Sequence, residues 1–200
     1  MTQLRLLAFL PSAHAPTETF VRANLRGLPF KTLAYFGDEF RLRRPLQSAY
    51  AFSVYISKIF YRLGLRRLGT FPPSLVVWIL CKRYQPDVLI AEFGFHAIRM
   101  MDAAPWTGTP MIVQFHGSDA FAHQRITAEL RERYRRLFRV AASVIVKSLP
   151  MREQLLRFGA SSDQLVVSPC GADPSLFYGA VPEDSPPLFV AVGRFVPKKA

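Results

Sequence analysis

The stretch MIVQFHGSD, residues 111–119, contains the pattern that decides the fold. Five mostly apolar residues are followed at once by His116, Gly117, Ser118 and Asp119, so the pattern predicts a short buried strand that ends in a polar loop. A continuous apolar run is typical of a parallel strand with helices packed on both faces, because a strand with one face in water alternates between apolar and polar residues. The stretch therefore favours a parallel sheet that is covered on both sides.

Similar apolar runs recur along the chain and alternate with stretches of helical character. The predicted strands are at 4–10, 32–36, 87–91, 111–115, 143–147 and 165–168. The predicted helices are at 17–27, 46–63, 73–84, 95–103, 123–142 and 150–158. This alternation predicts an α/β fold with a Rossmann-like, doubly wound parallel sheet.

The last thirty residues predict a domain boundary. Residues 171–187 are rich in proline, as linkers are, and a new apolar strand follows at 188–192. We expect one domain over residues 1–185, and over 186–200 the end of the linker with the first strand of a second, truncated domain. A single strand does not form a domain, so we expect either that the protein continues past Ala200 or that this strand packs on another chain.

The formal net charge of +12 predicts an anionic partner: nucleic acid, an acidic membrane surface or a phosphorylated small molecule. No nucleic-acid-binding motif is present, which disfavours the first. The predicted helix at 123–142 has an apolar stripe. Its remaining arginines form either a solvated face or a patch for anionic lipid or substrate, and they are Arg125, Arg131, Arg135 and Arg139.

Cellular location follows from the cysteines and from the length of the apolar runs. Cys81 and Cys170 form no CxxC pair, which fits a reducing cytoplasm. No apolar run is long enough to cross a bilayer. We expect a cytoplasmic protein, with peripheral contact at the inner face of the plasma membrane as a further hypothesis.

Polar loops follow the predicted strands, and in a parallel α/β sheet ligands bind at those carboxyl ends. His116 at the end of a strand, next to Gly117, is placed to donate a hydrogen bond to a phosphate or sugar oxygen, or to take a proton. After the first strand, Thr17, Glu18 and Thr19 begin a helix. They either cap that helix or present its free N–H groups to a substrate.

Several chemistries are disfavoured because their motifs are absent. The sequence has no G-x-G-x-x-G, no G-x-x-x-x-G-K-[ST], no G-x-S-x-G and no H-E-x-x-H, so an NAD-binding Rossmann domain, a P-loop, a serine hydrolase and a zinc protease are not expected. No Asp-x-Asp pair is present either, so we expect no metal–nucleotide site and no cofactor.

Four segments, in this order, resemble glycosyltransferase family 4, and within it enzymes of colanic acid and other exopolysaccharide biosynthesis. Residues 17–21, TETFV, are similar to a "SETF" motif, and residues 116–119 match "HG-x-D". Residues 146–177 resemble the pattern "vS…L…G…v.p.GvD…F", with Ala172 where Val is common. Residues 192–199, VGRFVPKK, are similar to "VGRlv.KKG", with Ala200 in place of Gly.

The resemblance implies the two-domain GT-B fold and metal-independent transfer of a sugar, of the hexosyltransferase type, from a nucleotide-sugar donor to a cell-surface polysaccharide or lipid-linked acceptor. It implies that His116 faces the cleft as the catalytic residue, and that Arg194 and Lys199 bind the donor diphosphate. The residues that it places at the acceptor are Thr17, Glu18, Thr19, Gly117, Asp119 and Ser148.

The family's paired glutamates and its nucleotide pocket lie beyond the matched segments. We therefore expect this chain by itself to be incomplete and inactive. The alternative is an inactive fragment or a non-catalytic subunit of a split glycosyltransferase that needs a donor-domain partner.

Overall fold

The computed structural model describes residues 3–15, 18–41, 44–122, 126–171, 175, 178–179, 181, 183 and 186–189. The chain divides into two compact units, residues 1–170 and residues 171–200. The predicted strand at 188–192 lies largely outside the described residues, so the architecture below is that of the first unit.

A six-stranded parallel sheet forms the centre of the first unit, in the order β2-β1-β3-β4-β5-β6. Its strands are β1 (Arg5–Leu10), β2 (Lys31–Phe36), β3 (Val88–Glu92), β4 (Met111–Gln114), β5 (Ser143–Val146) and β6 (Leu165–Val167). All six predicted strands are confirmed within two residues, and the fold is α/β and Rossmann-like. The strand order reverses between β1 and β3, so the ligand-binding crevice of this fold class opens beside their carboxyl ends.

Eight helices connect the strands within the described residues. They are α1 (Thr19–Gly27), α2 (Gln47–Arg62), α3 (Phe71–Tyr84), α4 (Gly94–Ala97), α5 (Ala103–Thr107), α6 (Ser118–Phe121), α7 (Ala128–Val140) and α8 (Leu149–Arg157). The prediction of one helix over 95–103 is wrong, because α4 and α5 are separate and joined by turns. Between the two helices, the amides of Arg99, Met100 and Ala103 bond to carbonyl oxygens three residues earlier, so the segment continues as turns. Pro105 has no N–H and fits the first turn of a helix that begins at Ala103.

The residues of β1 from Leu6 to Leu10 are all apolar because both faces of the strand are buried. Leu7 and Phe9 enter the larger core, which α2, α3, α7 and α8 cover. Leu6, Ala8 and Leu10 point to the opposite face and pack beneath α1. Alternate residues of a strand face opposite sides, so burial of both faces removes the alternation.

Gly94 lies where α4 meets the larger core. A Cβ atom added there would lie 2.3 Å from Cζ of Phe115 and 3.0 Å from Cε1 of Tyr134. Both rings are fully buried and in edge contact with each other, so neither can move aside without disturbing the core. The absent side chain allows β3 to turn directly into α4 against these rings.

Gly94→Ala is expected to lower the free energy of unfolding by about 1–3 kcal/mol through overpacking. Gly27→Ala is the matched control, because a Cβ there meets nothing within 4 Å. We expect the control to be neutral or stabilising by up to about 1 kcal/mol. Urea unfolding of both variants measures the difference, and equal stabilities would contradict the packing argument.

His96 is a buried, neutral histidine in the same core. Its Nε2 atom lies 2.8 Å from the hydroxyl oxygen of Tyr50, and the residue is 2% exposed. Burial lowers its pKa to about 3, and the nearby charges of Arg99 and Lys58 act in the same direction. Because it is buried and bonded to Tyr50, His96 contributes to the packing of the core.

The titration of His96 predicts acid sensitivity. The folded state excludes a proton that the unfolded chain binds below about pH 6.5, so stability falls as the pH drops from there towards 3, by about 1.4 kcal/mol per pH unit. His96→Gln keeps a polar partner for Tyr50 and removes this titration. Between about pH 7 and pH 5, urea unfolding should therefore show the native protein losing about 2 kcal/mol more than the variant. Parallel losses would refute this assignment.

Candidate functional site

Strands β3 and β4 bring a carboxylate and an imidazole together at their carboxyl ends. Glu92 is the last residue of β3, and His116 follows β4 by two residues. The Nε2 atom of His116 lies 2.6 Å from Oε2 of Glu92. The side chains are 2% and 1% exposed, respectively, so this is a buried charge-assisted pair.

Aromatic rings enclose this pair. The imidazole centroid is 4.6 Å from the ring of Phe93 and 5.1 Å from the ring of Phe20 on α1. The rings exclude water from one side of the pair, which strengthens electrostatic interactions there. His116 lies at the end of a strand, as the sequence predicts. Its imidazole, however, is covered by the rings of Phe20 and Phe93.

Three buried polar atoms around the pair have no hydrogen-bond partner among the described residues: Oε1 of Glu92, Nδ1 of His116 and Oε2 of Glu18. Burial raises the pKa of Glu18, while the charge of His116 opposes this and that of Glu92 adds to it, so the three groups act on one another. An unpaired buried polar atom costs about 1–3 kcal/mol. These three atoms cluster beside the carboxyl ends of the strands, which makes them candidates for contact with a ligand. Tyr61, Ser74 and Arg133 also hold unpaired buried polar atoms, but away from the pair.

Asp119 holds the loops that carry the pair. Its Oδ1 atom accepts a hydrogen bond from the amide of His116 at 2.9 Å, and Oδ2 accepts one from the amide of Gly94 at 3.0 Å. The hydroxyl of Tyr134 donates to the carbonyl oxygen of Asp119 at 3.0 Å. Burial raises the pKa of Asp119, and the two amide bonds oppose that shift. The carboxylate therefore links the β3–α4 and β4–α6 connections.

Backbone conformation at the two connections is unusual. Phe93 has a φ of 69°, which is rare for a residue with a side chain and costs about 1–3 kcal/mol. Gly117 has a φ of 107°, and a Cβ there would meet no atom within 4 Å. The conformation, rather than close packing, therefore requires glycine at this position. Strain next to unpaired polar atoms is a second mark of a functional site.

The other described residues that are predicted to contact the acceptor lie in connections that follow strands of the sheet. Thr19 is the exposed first residue of α1, and Glu18 precedes it. Ser148 caps α8, since its Oγ accepts a hydrogen bond from the amide of Met151 at 3.3 Å. The structure thus gives Ser148 a capping role, and no described contact joins Ser148 to His116. Thr17, Arg194 and Lys199 lie outside the described residues.

Glu92 is the residue that the motifs do not single out. The signal for it was nevertheless present, because a carboxylate directly follows the apolar run Leu89, Ile90, Ala91. A charge at the end of a buried strand must be paired or must serve a ligand.

Among the described residues, no group of three His, Cys, Asp or Glu side chains is placed to hold a metal ion. The described helices include none that is long and apolar enough to cross a membrane.

A family model described as Glycosyltransferase Family 4 matches residues 32–176. The chain belongs to this family. The matched range contains Glu92, His116 and Asp119, and it begins after Glu18. No curated protein sequence gives a significant match to this glycosyltransferase family 4 chain.

Solved structures share the fold at low sequence identity. A UDP-N-acetylglucosamine 2-epimerase from Rickettsia bellii aligns with a TM-score of 0.55 at 11% identity, covering 84% of this chain and 45% of the epimerase. Anabaena Alr3699/HepE in complex with UDP-glucose aligns with a TM-score of 0.55 at 13% identity, covering 91% and 48%. The lipopolysaccharide outer core galactosyltransferase WaaB, in its apo form, gives 0.51 at 13% identity, covering 82% and 45%. The chain spans less than half the length of each of these three proteins.

Asp119→Asn is expected to destabilise the protein by about 1–3 kcal/mol, because one carbonyl oxygen cannot replace two acceptors and one amide N–H loses its partner. Hydrogen exchange at the amides of Gly94 and His116 should accelerate more than elsewhere. The exposed Asp163→Asn should stay within about 0.5 kcal/mol of the native protein. If exchange at both amides is unchanged, the linking role of Asp119 is refuted.

Proposed function

We propose that this chain is the acceptor-side domain of a glycosyltransferase that transfers a sugar from a nucleotide-sugar donor to a cell-surface polysaccharide or lipid-linked acceptor. The observation that carries the proposal is the buried Glu92–His116 pair, with its unpaired polar atoms, at the crevice edge of a family 4 chain. Two of the similar structures are consistent with it, since one holds UDP-glucose and another is named a lipopolysaccharide galactosyltransferase.

His116 is proposed to act on the acceptor through Nδ1. When Nε2 donates its hydrogen bond to Glu92, the Nδ1 lone pair is free to accept one from a sugar hydroxyl, and Glu92 fixes this tautomer. When the ring carries both protons, Nδ1 instead donates to a sugar or phosphate oxygen. The imidazole is 2% exposed, so either contact requires a shift of the covering side chains, of which Phe20 at the start of α1 is one.

Glu18 supplies a second polar contact in the same proposal. Its unpaired Oε2 atom suits a hydroxyl donor of the acceptor, and Thr19 lies beside it at the start of α1. Arg194 and Lys199 are proposed to bind the donor diphosphate, and the reaction is proposed to need no metal ion. Membership of the exopolysaccharide branch and a location at the inner face of the plasma membrane, with peripheral contact to anionic lipid, complete the proposal.

His116→Gln should lower kcat for sugar transfer by about 10²–10⁴-fold, because the variant cannot exchange a proton. Glu92→Gln should also lower kcat, since it removes the charge that orients the imidazole. The assay follows release of the nucleoside diphosphate from a panel of nucleotide sugars, using the protein at its native length and acceptors extracted from its own membranes.

The exposed Asp163→Asn is the matched control and should keep full activity. Full activity of a folded His116→Gln variant would refute the role of this histidine. Absence of both binding and turnover for every nucleotide sugar in the panel would refute the transferase function itself.

A further inference from the structure

Charge is unevenly distributed along the sequence. From Phe40 to Pro86 there are nine Lys and Arg residues and no Asp, Glu or His. The segment therefore carries +9 of the net charge of +12. Six of the nine cations lie on α2, α3 or their connection, and the other three precede α2 in the sequence.

The same two helices expose large apolar side chains. On α2 they recur at three- and four-residue spacing and continue into the residue after the helix: Phe52, Tyr55, Ile59 and Leu63. On α3 they recur at four-residue spacing: Phe71, Leu75 and Ile79. The connection between the helices adds Leu65 and Leu68, and Leu63 is 67% exposed. Such spacing places each set along one side of its helix.

Both sets face away from the sheet. Tyr50 and Val54 of α2 enter the larger core together with Val77 and Leu80 of α3, so the two helices cover the same face of the sheet. Their outward sides therefore belong to one layer, which we call the α2–α3 surface and which comprises the exposed side chains of residues 52–82. Exposed apolar area of this extent marks a site of interaction with a protein or a membrane.

Cations border the apolar side chains. Arg62, Arg66 and Arg67 lie at the connection, and Lys82 follows the stripe on α3. An open groove of about 590 Å³ lies at the other end of the helices and is lined by Pro45, Leu46, Ile79, Lys82 and Arg83. Two cations beside apolar side chains suit a phosphate group attached to a hydrocarbon chain.

The arginine-rich helix α7 offers a contrast. Glu129 and Glu132 pair with arginines of the same helix, and Glu129 also pairs with Arg66 of the α2–α3 connection at 2.9 Å. The outer side of α7 exposes no large apolar side chain among the described residues. The sequence offers α7 as a candidate patch for anionic lipid, but its exposed side is that of a solvated helix. The α2–α3 surface combines apolar and cationic groups, and α7 does not.

We propose that the α2–α3 surface is the part of the protein that docks on an anionic lipid bilayer, with its leucines and aromatic rings entering the interface and its cations contacting lipid phosphates. The inference rests on the peripheral membrane contact proposed above and assigns it to one surface. A second copy of the chain fits poorly, because a two-fold interface would bring the five cations of each α2–α3 surface together, and no acidic residue between 40 and 86 could pair with them. These cations are Lys58, Arg62, Arg66, Arg67 and Lys82. An anionic bilayer supplies both the apolar layer and the missing negative charge.

Tryptophan fluorescence tests the proposal directly, because both tryptophans of the protein belong to this region. Trp78 lies on α3, and Trp106 packs against Phe71 with ring centroids 5.9 Å apart. Vesicles of phosphatidylcholine and phosphatidylglycerol should sediment the full chain and shift its emission to the blue. Brominated lipids should quench that emission. Vesicles of phosphatidylcholine alone should bind at least about tenfold more weakly.

Variants separate the apolar and the cationic contributions. The triple variant Leu63→Ser, Leu65→Ser and Leu68→Ser should bind anionic vesicles at least about tenfold more weakly and lose the quenching, without a change in Tm, since these side chains are exposed. Arg62→Gln with Arg67→Gln should weaken binding and reduce its dependence on salt. The control Arg131→Gln with Arg139→Gln removes two cations from α7 and should leave binding unchanged.

The proposal would be overturned if anionic vesicles failed to sediment the protein, or if the α7 control lost as much binding as the arginine variant. A blue shift that needs no lipid and accompanies dimer formation in ultracentrifugation would point to a second copy instead, and would overturn it too. Oligonucleotide binding that the leucine variant abolishes would equally contradict it. The assay contains no nucleotide sugar. Vesicle binding without sugar transfer would therefore refute only the transferase function, and transfer to a soluble acceptor without vesicle binding would refute only this inference.

Discussion

The carboxylate of Asp119 is the interaction on which the candidate site depends. Its two oxygens accept hydrogen bonds from the amides of Gly94 and His116, which belong to connections that follow two neighbouring strands. This link adds to the backbone hydrogen bond that the amide of Phe93 donates to the carbonyl oxygen of Gln114 at 2.8 Å. Backbone and side-chain hydrogen bonds therefore both join the ends of β3 and β4. The 2.6 Å approach of His116 to Glu92 rests on these bonds, although no described hydrogen bond joins the side chain of Asp119 to either side chain of the pair.

The site combines stabilising and destabilising features. Asp119, the ring of Phe115 and the cap at Ser148 stabilise the loops. The unpaired atoms of the buried acids and imidazole, and the φ of Phe93, act against stability. Folding alone would favour replacing such groups with apolar ones, and the proposed ligand contacts would supply the unpaired atoms with partners. This energetic imbalance supports the proposed transfer site independently of the family match.

The sequence predicted the sheet well and the site only in part. Apolar runs identified all six strands, because burial on both faces leaves a strong local signal. The position of His116 at a strand end followed from the same pattern. Its burial did not, because the covering ring of Phe20 comes from a helix almost a hundred residues earlier, and local patterns carry no information on such contacts. Asp119 appeared as a ligand-binding candidate, and the structure shows that both of its carboxylate oxygens are used within the protein. The interruption within 95–103 was missed because the apolar residues of this segment fit a continuous helix, whereas its amides bond three residues back and form turns.

The position of β1 between β2 and β3 has a consequence for the order of folding. Strand β1 pairs with β2 on one side and with β3 on the other, and the amide of Arg5 bonds to the carboxylate of Asp87, 82 residues away. At about 5–20 residues per second, a ribosome needs about 4–16 s to make the intervening chain. During that interval one edge of β1 has no partner, while the basic and apolar segment that forms α2 and α3 is already emerging. An unpaired strand edge is a template for aggregation, so the order of synthesis leaves β1 open to it until β3 arrives.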